Sequence, residues 1–487
     1  MYLNIESQHR EISVASNRAM ELADTQLTEF RQSYQEKRMP IRVSFRSLCS
    51  QWSWARRSDV YTHFLHKYPA KILPYIPIFF LSSDTYAGQE ELVLDNFAGT
   101  GTVLLESIIH PYWKRNAIGV EINPLARLIA KVKTTPLDIC DLRQETKKLI
   151  SRIKHFSGDA EIPEFANRDL WFSKRIQAGL ARIRMCIEDV EDPDFRDFFL
   201  VCFSNIIREV SLADPKIAPP VILKPEHFSK NPERQREMEA LLRKKKWARP
   251  VTYFVGAVER NMKRIETLNA VDALRDKKIK AEIIWDDARA LKRGKLTSKG
   301  RIDKSNAEPV LGESVGLVIT SPPYINAQKY IRTTKFELFW LGLLSEKELP
   351  ALDRAFVGTE RVFSSEYEEL CLTGVKSADS IIERIYGRNK ERAGIVSRYF
   401  IDMRQVIRET HRVLKKGGRF VLVIGDNTIC GLNVESHRIL ADIAVQDVGF
   451  EIETMLVDKI RSRGMITKRH ETGGMVLDDW VIVLQKR

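Results

Sequence analysis

The sequence predicts an α/β protein. Its core is a doubly wound, mainly parallel sheet finished by an antiparallel strand, and a largely helical region is inserted into it. Three observations carry that expectation. Short apolar runs alternate with helical stretches along 91–134 and again along 281–425, which is the pattern of parallel βαβ units. The runs end in an acid, a glycine turn or a proline pair, the chemistry found at strand carboxyl ends where open α/β sheets bind ligands. Between about 140 and 270 only amphipathic helices are evident, with no obvious strand of that sheet.

A chain of 487 residues exceeds one ordinary core, so two lobes or one domain with large insertions is expected. Residues 1–59 read as an N-terminal extension, polar and mostly helical through about 45. The core begins at 60–139. There His66-Lys67-Tyr68-Pro69-Ala70-Lys71 precedes a short buried strand, Glu91-Leu92-Val93-Leu94-Asp95. Asn96-Phe97-Ala98-Gly99-Thr100-Gly101-Thr102 then leads into an apolar helix containing Val103, Leu104, Leu105, Ile108 and Ile109. Gly99 and Gly101 let the backbone approach a ligand without Cβ interference, and the free N–H groups of the following helix face the same way. A third glycine at position 104 would complete a dinucleotide fingerprint. Leucine stands there, which disfavours a nicotinamide oxidoreductase. The second strand, Ala117-Ile118-Gly119-Val120-Glu121, ends in an acid followed by Ile122, and Asn123-Pro124 opens the next helix.

Residues 140–275 form the helical insertion. It holds Arg243-Lys244-Lys245-Lys246-Trp247-Ala248-Arg249, where basic residues crowd a tryptophan. The core resumes at 276–487. Ala281-Glu282-Ile283-Ile284-Trp285 ends at Asp286-Asp287, and a basic, loop-like stretch runs from Lys292 to Arg301. Next comes the run Val315–Thr320, which meets Ser321-Pro322-Pro323-Tyr324. A helical, charged insertion at about 341–398 precedes a helix over 399–414, a Lys415-Lys416-Gly417-Gly418 stop and a strand at 419–425. Phe450–Val457 and Trp480–Gln485 read as the final, antiparallel pair.

The proline pair ends its strand abruptly, because proline fixes φ and has no ladder donor. Ser321, the carbonyls around Pro322 and the ring of Tyr324 are thereby left at the sheet edge. Oxygen acceptors beside an aromatic ring suit a planar amine held in the ring plane and stacked on its face.

These segments resemble the S-adenosylmethionine-dependent amino-methyltransferases that modify exocyclic nitrogens in DNA, in their cytosine-N4 form. The resemblance covers roughly 60–135 and 281–487. It rests on Asp95-x-Phe97-x-Gly99-x-Gly101, the Ser321–Tyr324 turn with Ile325-Asn326-Ala327, Phe336-Glu337-Leu338-Phe339-Trp340-Leu341-Gly342, and Gly425-Asp426-Asn427. It implies a seven-stranded class I methyltransferase (Rossmann-like) sheet and S-adenosylmethionine as methyl donor, with S-adenosylhomocysteine as product and no metal. Asp95 would hold the methionine ammonium, Glu121 the ribose hydroxyls, and Asp287, in preference to Asp286, the adenine amine. Residues His66, Tyr68, Pro69 and Lys71 would close over the methionine moiety. Ser321, Pro322, Pro323 and Tyr324 would be catalytic, and Ser321 would also touch the cofactor. The partner would be double-stranded DNA, with a cognate restriction or defence component implied. The family commonly places target recognition later in the chain. Here 140–275 is the first candidate and 341–398 the second.

Composition fits this. The net charge of +13 suits a polyanion, and Arg243, Lys244, Lys245, Lys246, Trp247 and Arg249 become candidate DNA contacts. No apolar run is long enough to span a bilayer, and Met1-Tyr2-Leu3-Asn4-Ile5-Glu6 is soon polar and charged, so no signal peptide is expected. Scattered cysteines without a Cys-x-x-Cys pair fit reduced thiols in the cytoplasm. No Pro-Cys dipeptide occurs, so attack through an enzyme thiolate, as in carbon-5 cytosine methylation, is not expected. Three rivals remain. Adenine-N6 methylation usually carries Asp or Asn where Ser321 stands, an RNA methyltransferase would want an RNA-binding module, and a silent DNA-binding subunit would not need an intact site.

Overall fold

The computed structural model describes residues 5–52, 54–55, 61–69, 71–217, 219–325, 330–460 and 476–487, with side chains from residue 20 onward and that of residue 330 excepted. Ala70, Asn326 and Ala327 of the segments above, and most of the loop joining the last two strands, lie outside these residues.

Among the described residues there are twelve strands: β1 (Ile41–Val43), β2 (Val93–Asp95), β3 (Ala117–Val120), β4 (Ala281–Trp285), β5 (Lys292–Leu296), β6 (Ile302–Pro309), β7 (Val315–Thr320), β8 (Leu414–Ile424), β9 (Asn427–Ile429), β10 (Leu432–Val434), β11 (Phe450–Lys459) and β12 (Asp478–Lys486). Eight of them form one sheet in the order β1-β11-β12-β8-β7-β2-β3-β4, and β5-β6 and β9-β10 are separate two-stranded ribbons. Every pairing in the large sheet is parallel except the two made by β12, so β12 alone runs against its neighbours. β2, β3 and β7 are buried along their whole length, as strands covered on both faces must be. Strand order reverses between β2 and β7, and that switch point is where such sheets open a ligand crevice.

The sheet has eight strands where seven were expected. The addition comes from the N-terminal extension: after the helix Ile5–Lys37, β1 pairs parallel with Leu456–Asp458 of β11. Asp458 fixes the junction by accepting from the Phe45 N–H at 3.1 Å. Two further expectations change. The basic stretch expected as a loop contains a strand: Lys292–Leu296 pairs antiparallel with Ile302–Pro309, and 297–301 is the turn that joins them. The helix Lys390–Val413 runs directly into β8. There Val315 pairs with Leu414 and Leu317 with Arg419, so residues 415–418 bulge opposite Gly316 and do not separate helix from strand. Gly417 takes φ 73° within that bulge.

Among the described residues of 139–275 the regular elements are helices, and an isolated bridge joins Ala213 and Ile222. Their buried face meets the helix Tyr330–Trp340, which follows the proline turn: Phe165, Trp171 and Phe172 pack on Phe336, Phe339 and Trp340 with centroids 4.9–6.2 Å apart. Such ring pairs add about 0.5–1.5 kcal/mol each beyond area burial. Fully buried Asp197 makes a polar tie, accepting from Lys131 Nζ at 2.7 Å, Ser298 Oγ at 3.1 Å and the Lys299 N–H at 2.9 Å. Among the described residues no helix is long and apolar enough to cross a membrane.

Candidate active site

The site is built from strand tips. β2 ends at Asp95, and the chain turns through Gly99 (φ 51°) and Gly101 (φ 74°) into the helix Thr102–Ile109. Gly101 needs its bareness twice over: its φ is left-handed, and an added Cβ would lie 3.1 Å from the Ala130 Cβ. Glu121, at the tip of β3, holds this turn. Its Oε2 accepts from the Gly99 N–H at 2.8 Å and its Oε1 from the Asn123 N–H at 2.7 Å. Asn123 caps the next helix through the Leu125 N–H, and its Nδ2 donates to the Tyr68 hydroxyl at 3.0 Å. Tyr68 is thereby fastened over the second strand tip.

These tips enclose a cleft of about 640 Å³, open solvent included. Of the residues anticipated for the cofactor, Tyr68, Phe97, Gly99, Glu121, Ile122, Asp286, Asp287 and Ser321 line it. Pro323, anticipated as catalytic, lines it too, and so do Asn96, Ala288, Phe356 and Val357, which were not anticipated. Asn96 Nδ2 donates to Thr410 Oγ1 at 2.6 Å, while its buried Oδ1 has no hydrogen-bond partner, an acceptor left for a ligand donor. At the third tip the carboxylates differ. Both Asp287 oxygens are engaged by Arg289, at 2.9 and 3.1 Å, whereas Asp286 pairs with Lys304 at 2.7 Å. The preference for Asp287 as adenine acceptor therefore meets a carboxylate already committed to a guanidinium.

Asp95, His66, Pro69, Lys71 and Gly101 do not line the cleft. Asp95 lies beneath it, with Oδ1 accepting from the Phe97 N–H at 3.1 Å and Thr320 Oγ1 at 2.6 Å. Burial pushes its carboxyl up to about 7, against the pull of those two donors. His66 is buried with neither ring nitrogen hydrogen-bonded, and burial pushes it down to about 3. Lys71 turns inward, its Nζ donating to the carbonyls of His63 (3.0 Å) and His66 (2.9 Å), and burial brings it down to about 8. The segment thus presents Tyr68 and uses His66 and Lys71 to shape itself.

The fourth tip carries the proline turn. Thr320 and Pro322 are buried, Ser321 and Pro323 face this first cleft, and the Tyr324 hydroxyl donates to Asp479 Oδ1 at 2.9 Å. Beyond the turn lies a second, polar cleft of about 1070 Å³, solvent included, walled by Tyr324, Arg332, Arg361 and Arg392. It shares Pro323, Phe356 and Val357 with the first, so the two clefts meet at the turn.

The basic segment divides. Arg243, Lys244, Lys246 and Arg249 are exposed, and Trp247 is 71% exposed with the Arg175 guanidinium 5.7 Å from its ring centroid. Lys245 is corrected: it is buried, its Nζ donating to the carbonyls of Glu209 (2.9 Å) and Ser211 (2.8 Å) at the end of the helix Pro193–Val210. A side chain spent on a helix C-terminus cannot meet a phosphate.

No family model matches the chain. It is 25% identical over 407 residues to the type II methyltransferase M.MvaI of Kocuria varians, covering 78% of this chain and 80% of that protein. It is 29% identical over 154 residues to the type II methyltransferase M.AvaI of a Nostoc species, 29% of this chain and 32% of the relative. With the type II methyltransferase M.MjaII of Methanocaldococcus jannaschii it shares 30% identity over 105 residues, 22% of this chain and 19% of the relative. The chain thus spans four-fifths of the first relative and a third or less of the other two.

Proposed function

We propose that this chain is a site-specific DNA methyltransferase that moves the methyl group of S-adenosylmethionine to the exocyclic N4 amine of an extruded cytosine. The observation that carries the reading is the placement of Ser321-Pro322-Pro323-Tyr324 at the switch point, with one side on the 640 Å³ cleft and the other on the polar cleft. Similarity to type II methyltransferases supports the reaction class, and serine before the proline pair favours cytosine over adenine through the family resemblance.

The first cleft suits the cofactor. Its strand tips offer Glu121, Asp286 and Asp287, its walls offer Phe97, Ile122 and Val357, and Asn96 Oδ1 is an unfilled acceptor. Bound there, S-adenosylmethionine supplies a methyl group already activated as a sulfonium. The chain's work is on the amine, whose lone pair is delocalised into the ring. Acceptance of its N–H bonds by Ser321 Oγ and the Pro322 carbonyl draws the nitrogen towards tetrahedral geometry, and positioning then supplies most of the rate. Tyr324 stacks on the base and offsets part of the few kcal/mol that extrusion costs. We assign target recognition to 140–275, supported by the exposed cations at 243–249, and the biological setting to restriction-modification or defence.

The test is incubation of unmethylated genomic DNA with purified protein and labelled S-adenosylmethionine, followed by nucleoside mass spectrometry. N4-methylcytosine is expected. N6-methyladenine would overturn the target base, and the absence of any methylated nucleoside would overturn the reaction.

A further inference from the structure

We propose that Asp479 is a positioning residue for this site, fixing the plane of the Tyr324 ring before a base arrives. The inference rests on the functional reading above. Asp479 belongs to β12, the strand that runs against the rest of the sheet, so its N-terminal end reaches the carboxyl edge where the proline turn lies. The Tyr324 hydroxyl donates to Asp479 Oδ1 at 2.9 Å. The ring is also held from a neighbouring strand. A Cβ added to Gly425, just past β8, would lie 2.6 Å from Tyr324 Cε2 and 3.0 Å from Cδ2, so the ring rests on bare backbone. The register pairs Trp480 with Ile424, and one step further it sets Asp479 beside Gly425. Both restraints on the tyrosine therefore come from neighbouring positions, one on β12 and one just beyond the end of β8.

The strand end that carries Asp479 is itself held. Trp480 stacks on the His437 ring at 3.6 Å with an interplanar angle of 2°, and His437 Nδ1 contacts Asp426 Oδ1 at 2.8 Å. Asp426 follows Gly425, so the chain that seats the ring also anchors the strand bearing its acceptor. A stacking platform works best when its orientation is settled in advance, because a ring ordered only on base capture loses torsional freedom at that step. Asp479 is half-buried, faces Asp458 across β11 and follows Asp478. A carboxylate among carboxylates is a poor structural choice, and the phenol donor gives it a purpose.

The test uses the full chain and genomic DNA, with Tyr324→Phe, Asp479→Ala, the double variant and Asp479→Asn. Each of the first two is expected to lower kcat/KM for DNA about tenfold, the size expected for the loss of one hydrogen bond. The double variant should be no worse than the poorer single one, since both remove the same bond. Asp479→Asn keeps an acceptor oxygen and should recover most of the loss, and affinity for S-adenosylhomocysteine should stay constant throughout. Losses that multiply in the double variant, or a fully active Tyr324→Phe beside an impaired Asp479→Ala, would overturn the assignment. Should the wild-type chain methylate no DNA, the functional reading fails, and crystals of Asp479→Ala then decide the positioning claim: a displaced Tyr324 ring supports it and an unmoved ring overturns it.

Discussion

Thr320 Oγ1 donates to Asp95 Oδ1 at 2.6 Å, joining the carboxyl ends of β2 and β7 across the switch point of the sheet. The same hydroxyl accepts from the Phe97 N–H at 3.1 Å, so the glycine turn and the proline turn are registered against each other by one side chain. Thr320→Val keeps the shape, leaves a buried carboxyl short of a donor, and should cost about 1–3 kcal/mol. Urea unfolding checks the cost. A fall in both cofactor affinity and turnover checks the registration.

Asp95 gives a pH dependence with a defined sign. Its folded-state carboxyl sits at about 7, raised by burial, against an ordinary value of 3.8. A raised value means that the favourable protonated form is fully present below the unfolded value and lost as pH climbs through 7. Above that, the buried charge costs the fold up to about 4 kcal/mol. Asp95→Asn should therefore raise Tm at pH 8, with the gain shrinking towards pH 5. A Tm difference that does not vary between those pH values would remove the burial argument.

Ser321→Ala and Tyr324→Ala should separate. Ser321 faces the 640 Å³ cleft, and its loss should lower turnover about a hundredfold or more with little change in DNA affinity. Tyr324→Ala should weaken base capture and turnover but leave S-adenosylhomocysteine affinity nearly intact. Calorimetry with that product, beside kinetics on genomic DNA, reads both. A large loss of cofactor binding in Tyr324→Ala would take the ring out of the role given to it.

What was legible in the sequence was local. Val93–Asp95 and Val315–Thr320 announce themselves as buried strands, and the residues that follow each run punctuate it, so the Glu121, Asp286, Asp287 and Ser321 tips could be placed at one sheet edge. What was not legible depends on partners far along the chain. Ile41–Val43 becomes a strand only because Leu456–Asp458 lies beside it, and three residues carry no periodicity. Asp479 meets Tyr324 through sheet order, which no spacing encodes. Lys245 reads like its neighbours, yet one helical position turns it towards the end of another helix.

That division of the basic segment is testable. Lys245→Met removes a buried ammonium and strands the carbonyls of Glu209 and Ser211, so it should lower Tm without flattening the salt dependence of DNA binding. Exchange of the exposed Arg243, Lys244 and Lys246 for alanine should leave Tm unchanged. If the segment meets the duplex, the slope of log K against log salt should shrink by about 0.9 for each phosphate that is no longer neutralised. Fluorescence anisotropy on duplex DNA at several salt concentrations measures it, and an unchanged slope would clear this face of DNA.

Arg361 and Arg392 make the competing case. Both wall the polar cleft beyond Tyr324, Arg361 paired with Asp353 and Arg392 with Glu360 at 3.1 Å. These pairs are partly exposed, where ion pairs contribute about 0–1 kcal/mol, so a phosphate can replace the carboxylate at little cost. An extruded nucleotide leaves its flanking phosphates beside the opening it enters, and under the proposed reading that opening is the cleft these guanidinium groups line. Arg361→Ala with Arg392→Ala should weaken duplex binding, reduce the salt slope by about one to two, and spare S-adenosylhomocysteine affinity. If this pair moves the slope and the 243–246 variants do not, the DNA-contacting insertion is 341–398 and the assignment to 140–275 fails. Contributions from both would place the duplex against both insertions.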